Sequence, residues 1–123
     1  MNTIVIPVSA GELVDKITIL KIKERRIIDA QMRMHITHEL GLLKSELAKV
    51  PDSPRLRELA HALRTVNDII WDAEDAVRSA QDDQAYLAAT RTTHTNNDER
   101  FRLKRAINEL LSSDVVEIKS HKL

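Results

Sequence analysis

Apolar residues recur along most of this chain at the three- and four-residue spacing of amphipathic helices, and residues that start or stop helices punctuate the pattern. Thr3 to Val8 is β-branched and contains Pro7, which predicts a short extended segment. Ser9-Ala10-Gly11-Glu12 has the form of a capping box, so the first helix begins there and runs to about Ile27. Leu13, Ile17, Leu20, Ile27 and Ile28 form one stripe, while Ile19 and Ile22 lie on the opposite side. That doubled apolar character calls for contacts on both flanks, either within the fold or across a subunit interface.

Asp29 caps a second helix in which Met32, Ile36, Leu40, Leu43 and Leu47 keep a clean period to about Val50, with Gly41 expected at a close approach. Pro51-Asp52-Ser53-Pro54 is the sharpest punctuation, a turn with Ser53 as cap and Pro54 at the first helical position. The third helix then runs to about Ala80 on a stripe of Leu56, Leu59, Leu63, Val66, Ile70 and Val77, with Arg57, His61, Asp68 and Asp72 facing water. Asp82 and Asp83 cap a shorter helix with Tyr86 and Leu87 turned inward. Thr92 to Asn97 is poor in helix formers, and Asn96-Asn97-Asp98-Glu99 repeats the capping-box form, which predicts a kink or break. Leu103, Ile107, Leu110 and Leu111 drive a last helix ending near Ser112. The tail, Val115-Val116-Glu117-Ile118-Lys119, is β-branched again.

The pattern therefore predicts an all-α fold. It is a small bundle of four to five helices in one domain over residues 1–123, whose extended N- and C-terminal segments can pair as a two-stranded ribbon. Two glycines and three prolines in 123 residues agree with a mainly helical chain. Nineteen basic residues balance nineteen acidic ones, so no overall field draws the protein to nucleic acid or anionic lipid. The absence of cysteine excludes disulfides, thiolate catalysis and thiolate zinc sites. With no basic leader before the short run Ile4-Val5-Ile6, and no apolar run of membrane-spanning length, the expected location is the cytoplasm, away from any membrane.

Candidate chemistry concentrates on two ridges. Asn67, Trp71, Glu74 and Arg78 fall in one narrow sector of the third helix, where a helix needing only a core would carry aliphatics. The last helix repeats the arrangement with Asn97, Phe101, Lys104 and Asn108. Each ridge has an amide, an aromatic four residues on and a charge three beyond that, so Glu74 is expected to face Lys104. One reading is a partly buried ion pair that sets helix register, with the amides completing its hydrogen bonds. The other is an interhelical pocket with Trp71 or Phe101 as a wall and Asn, Lys and Arg donors for an anionic, sugar-like or nucleotide group. Glu12 and Asp15, three apart in the first turn of the first helix, are further contributors, and with Asp72, Glu74 and Asp75 they make a weak candidate for magnesium. No other cofactor or metal is suggested, since His35, His38 and His61 fall on polar faces with no second cluster to close a site. The basic runs Lys21–Arg26 and Arg100–Arg105 each have acids nearby, and three aromatics give little for base stacking, so nucleic acid is not favoured as a partner. There is no glycine-rich phosphate loop and no nucleophile beside an obvious base, so no catalytic residue is assigned.

Several of these stretches together resemble a bacterial family of small helical proteins labelled as a domain of unknown function. The likeness runs through Pro7 to Leu20, Asn67 with Trp71-Asp72 and Glu74-Asp75, Asn97-Asp98 with Leu103-Lys104-Arg105 and Ile107-Asn108, and Glu117 with Lys119-Ser120. The family pattern carries tyrosines near His94 and His121, and this chain departs from it there. The resemblance implies no activity. The leading expectation is a non-enzymatic interaction or assembly protein that forms a homo-oligomer or binds a protein partner. The competing one is a small-molecule-binding protein or magnesium-dependent enzyme using the interhelical polar residues.

Overall fold

The computed structural model of the chain describes residues 2–121 and contains, among those residues, four helices and no strand. They are α1 (Ala10–Arg26), α2 (Ala30–Leu47), α3 (Pro54–Ser79) and α4 (Asp83–Leu110). Each starts where a side chain satisfies an open amide of its first turn. Ser9 Oγ accepts from the Glu12 amide at 3.1 Å, Asp29 Oδ1 from Met32 at 2.9 Å, Ser53 Oγ from Leu56 at 3.1 Å and Asp82 Oδ1 from Ala85 at 2.8 Å. None of the helices is long and apolar enough to cross a membrane.

α3 and α4 form a long antiparallel hairpin, and α1 borders all three other helices. On one side of α1, Val14 joins Leu56, Leu59, Leu63 and Ile107 in the main core. On the other, Ile17 and Leu20 pack with Ile36 and Leu40 of α2. Ile22 is fully buried as well. The doubled apolar character of α1 is thus used inside the fold. Ile28 and Met32 do not share in it: Ile28 lies beyond the end of α1 and is 91% exposed, and Met32 is also exposed.

Three expectations are corrected. First, α4 is continuous through Thr92 to Asn97. Its polar side chains bond back to the helix's own carbonyls, Thr92 Oγ1 to Ala88, Thr93 Oγ1 to Ala89 and Asn96 Nδ2 to Thr92, and the helix packs along α3. Tertiary packing outweighs the weak local propensity, and the fifth helix disappears. Tyr86 and Leu87 lie on the exposed side of this longer helix, not inward. Second, no ribbon joins the termini. α4 closes with Ser112 in the left-handed region (φ 50°), the Ser113 amide donating to Asn108 O and the Ser112 amide to Glu109 O. This turn sends the tail back along α4, where Glu117 and Lys119 find partners on that helix. Third, Gly41 has no atom within 4 Å of where a Cβ would stand, so no close approach explains it. Gly41→Ala is therefore expected to stabilise the protein by about 0.5–1 kcal/mol, read as a raised urea midpoint at unchanged slope.

Candidate functional site

The polar residues of α1, α3 and α4 meet in one buried network centred on Asp15, which is 0% exposed. Arg100 donates to it twice, Nε to Oδ1 at 3.0 Å and Nη2 to Oδ2 at 2.5 Å. The Asn67 amide donates to Asp15 Oδ1 at 2.9 Å and to Thr18 Oγ1 at 2.8 Å. Lys104, 5% exposed, places its ammonium 2.8 Å from Glu12, 2.9 Å from Glu117 and 4.0 Å from Asp15. Asn108 Oδ1 accepts from the Gly11 amide at 2.6 Å, and Ser113 Oγ from Ala10 at 3.1 Å. Together these bonds tie the first turn of α1 to the end of α4. The capping box is accordingly only half made, since the Glu12 carboxylate is turned to Lys104 instead of the open amide behind it.

Gly11 explains why the two helices can come so near. A Cβ at this position would stand 2.9 Å from the Lys104 Cα and carbonyl carbon, and closer still to its oxygen. Burial alone would lower the Lys104 pKa, but its hydrogen bonds to Glu12 and Glu117 and the charge of Asp15 outweigh burial and hold it above the ordinary lysine value. Arg100 is raised further by its hydrogen bond to Asp15. A group whose folded pKa is raised contributes its full stability below the unfolded value and loses it as pH rises through the folded one. The melting-temperature advantage of the wild type over Glu12→Gln is therefore expected to hold up to about pH 10.5 and to shrink at higher pH, in melts taken across the alkaline range.

The expected pairing of Glu74 with Lys104 is not formed. Glu74 bonds Arg78 on its own helix at 2.8 Å, an exposed pair at the far end of the ridge. Lys104 instead reaches α1 and the tail. The α3 ridge is divided: Asn67 is inside the network, Trp71 is half-buried with the Arg26 guanidinium 5.6 Å from its ring centroid, and Glu74 and Arg78 face outward. The α4 ridge stays together, with Asn97 and Phe101 half-buried and Lys104 and Asn108 buried. The magnesium grouping is not assembled either, because Asp15, Glu12 and Asp72 are each held by a cation. Among the described residues, no three metal-ligating side chains come together. Arg25 and Arg26, from the first basic run, are held by Asp68 and Asp72.

Sequence reasoning noticed Arg100 only as part of a basic run, and it gave Thr18, Gly11 and Ser113 no role in a site. One signal was present. Arg100 and Lys104 are like charges four apart, and Glu12 and Asp15 are like charges three apart. Each pair is unfavourable on its own helix and becomes favourable when the two helices face each other.

Two cavities flank Arg100. The larger, about 760 Å³, opens between α4 and the tail and is lined by His94, Asn97, Asp98, Arg100, Phe101 and Lys104 on α4 and by residues 117–121. Here Lys119 bonds Asp98 at 2.7 Å, holding that carboxyl below its ordinary pKa, and lies 5.7 Å from the Phe101 centroid. The smaller, about 390 Å³, is walled by Ile19, Ile22, Ile70 and Trp71, with Asn67, Glu74, Asp75, Arg78 and Arg100 completing it. Both volumes fall in the usual range for small-molecule sites. No family model matches the chain, and no curated protein and no solved structure is similar to it.

Proposed function

We propose that the protein binds a small phosphate- or carboxylate-bearing molecule in the cavity between α4 and its own tail. The observation that carries this reading is the presentation of Arg100. Arg100 lines both cavities and donates to Asp15 through Nε and Nη2, while its Nη1 donates no hydrogen bond among the described residues, so a donor is left on a guanidinium whose orientation Asp15 fixes. Lys104 and Lys119 line the same cavity, each paired there with an acid, Glu117 and Asp98. Glu12 and Asp15 belong to the helical network behind Lys104, whereas Glu117 belongs to the tail and its side chain is 44% exposed. Glu117 is therefore the partner that an incoming anion exchanges with at Lys104.

The test is a thermal-shift and calorimetric titration with inorganic phosphate and ribose 5-phosphate against chloride at matched ionic strength. Both phosphates are expected to raise the melting temperature, since a ligand bound only by the folded state stabilises it. Glu117→Gln is expected to tighten phosphate binding severalfold, because the competing carboxylate is weakened while the helical network is kept. No shift and no heat up to millimolar phosphate ligand removes the reading.

A second reading, a homo-oligomer or a complex with a protein partner, is favoured by one feature. Ile4, Val5 and Ile6 are 85%, 89% and 65% exposed, and Val116 and Ile118 are exposed as well. Such β-branched segments can add to an edge on another chain. Because α1 uses both its apolar sides internally, association would run through these segments, and a monomer by sedimentation at working concentration removes the homo-oligomer, the main support of this reading. A cytoplasmic member of the bacterial family resembled by the motifs is compatible with either reading.

A further inference from the structure

Arg100 lines both cavities, and the two differ in kind. One side is lined by three cations, Arg100, Lys104 and Lys119, the last two paired there with Glu117 and Asp98, and Arg100 Nη1 is left without a hydrogen bond among the described residues. The other has apolar walls of Ile19, Ile22 and Ile70 beside Trp71 and is lined as well by the paired Glu74 and Arg78 and by Asp75, whose carboxylate has no ion pair or hydrogen-bond partner among the described residues. From this juxtaposition we infer that the ligand is bipartite and is a nucleoside monophosphate. Its phosphate meets the cations, its base lies in the second cavity against Trp71, and Asp75 accepts from ribose hydroxyls. The inference rests on the anion-binding reading above and deepens it.

Charge and shape argue together. A phosphate alone uses the first cavity and leaves the apolar walls of the second wet. A sugar phosphate fills more volume but brings no flat face for the indole, whereas every base has one. Trp71 already carries a cation near its ring, the Arg26 guanidinium at 5.6 Å. It is also the only tryptophan in the chain, so its emission reports on that cavity directly.

The experiment titrates the 123-residue chain with AMP, ribose 5-phosphate and inorganic phosphate, following heat and tryptophan emission in parallel. AMP is expected to bind about tenfold tighter than ribose 5-phosphate and to quench the emission, while the other two bind without quenching. Trp71→Leu, checked for unchanged helicity, is expected to bring AMP down to the affinity of ribose 5-phosphate and to leave phosphate unchanged. If AMP and ribose 5-phosphate bind equally, or AMP binds without changing the wild-type emission, the nucleotide inference is overturned while the anion site stands. If none of the three binds, both readings fall.

Discussion

Asp15→Ala is expected to cost about 3–5 kcal/mol of stability, seen as a melting temperature roughly 10–20 °C lower. The carboxylate is fully buried and accepts from Asn67 and twice from Arg100, so its removal takes away three bonds at once. It also leaves Arg100 and Lys104, like charges on neighbouring turns of α4, with one acid fewer to offset them. Most of the expected loss comes from that uncompensated charge. For this reason Arg100→Met in the Asp15→Ala background should recover part of it, a coupling that a double-mutant cycle in urea measures directly. A single-mutant loss under 1 kcal/mol would mean that the network contributes little to holding α1 on α4.

The second large effect is at Gly11. In an isolated helix, Gly→Ala helps by about 1 kcal/mol. Here the new methyl would run into the backbone of Lys104, and backbone cannot turn aside as a flexible side chain can. α1 would have to lift from α4, stretching the bonds from Gly11 to Asn108 and from Lys104 to Glu12. A net destabilisation of about 3 kcal/mol is expected, at the upper end for overpacking because polar contacts are strained with it. Denaturant melts decide the sign, and Gly41→Ala, at the chain's other glycine, is the control expected to move the opposite way.

Much of the architecture was legible because it is local. Ser9, Asp29, Ser53 and Asp82 each bond an amide three residues away, and that interaction depends on nothing else in the chain. The stripes Leu56-Leu59-Leu63 and Ile36-Leu40 were legible for the same reason. The continuity of α4 through Thr92 to Asn97 was not, because it depends on packing against α3. At the site, projection on single helices found Asn67, Lys104 and Asn108, which are buried together, and flagged Glu12 and Asp15. It paired Lys104 with the wrong acid, since a helical wheel states which residues share a face and is silent about which face lies opposite. Arg100 was missed because a cation in a basic run looks solvated until the acids on α1 are placed beneath it.

The bonds that fix α1 span nearly the whole chain. Asp15 waits for Asn67, 52 residues on, and for Arg100, 85 residues on; Glu12 waits 92 residues for Lys104, and Ala10 waits 103 for Ser113. During synthesis α1 and α2 can pair early, but the acids on α1 lack their cations until the far end of α4 has been made. Closing such long loops is slow relative to forming helices. α1, the first of the four helices, is thus fully locked only once α4 is complete, and a nascent chain stalled before residue 100 holds Glu12 and Asp15 without the cations that pair them in the finished fold.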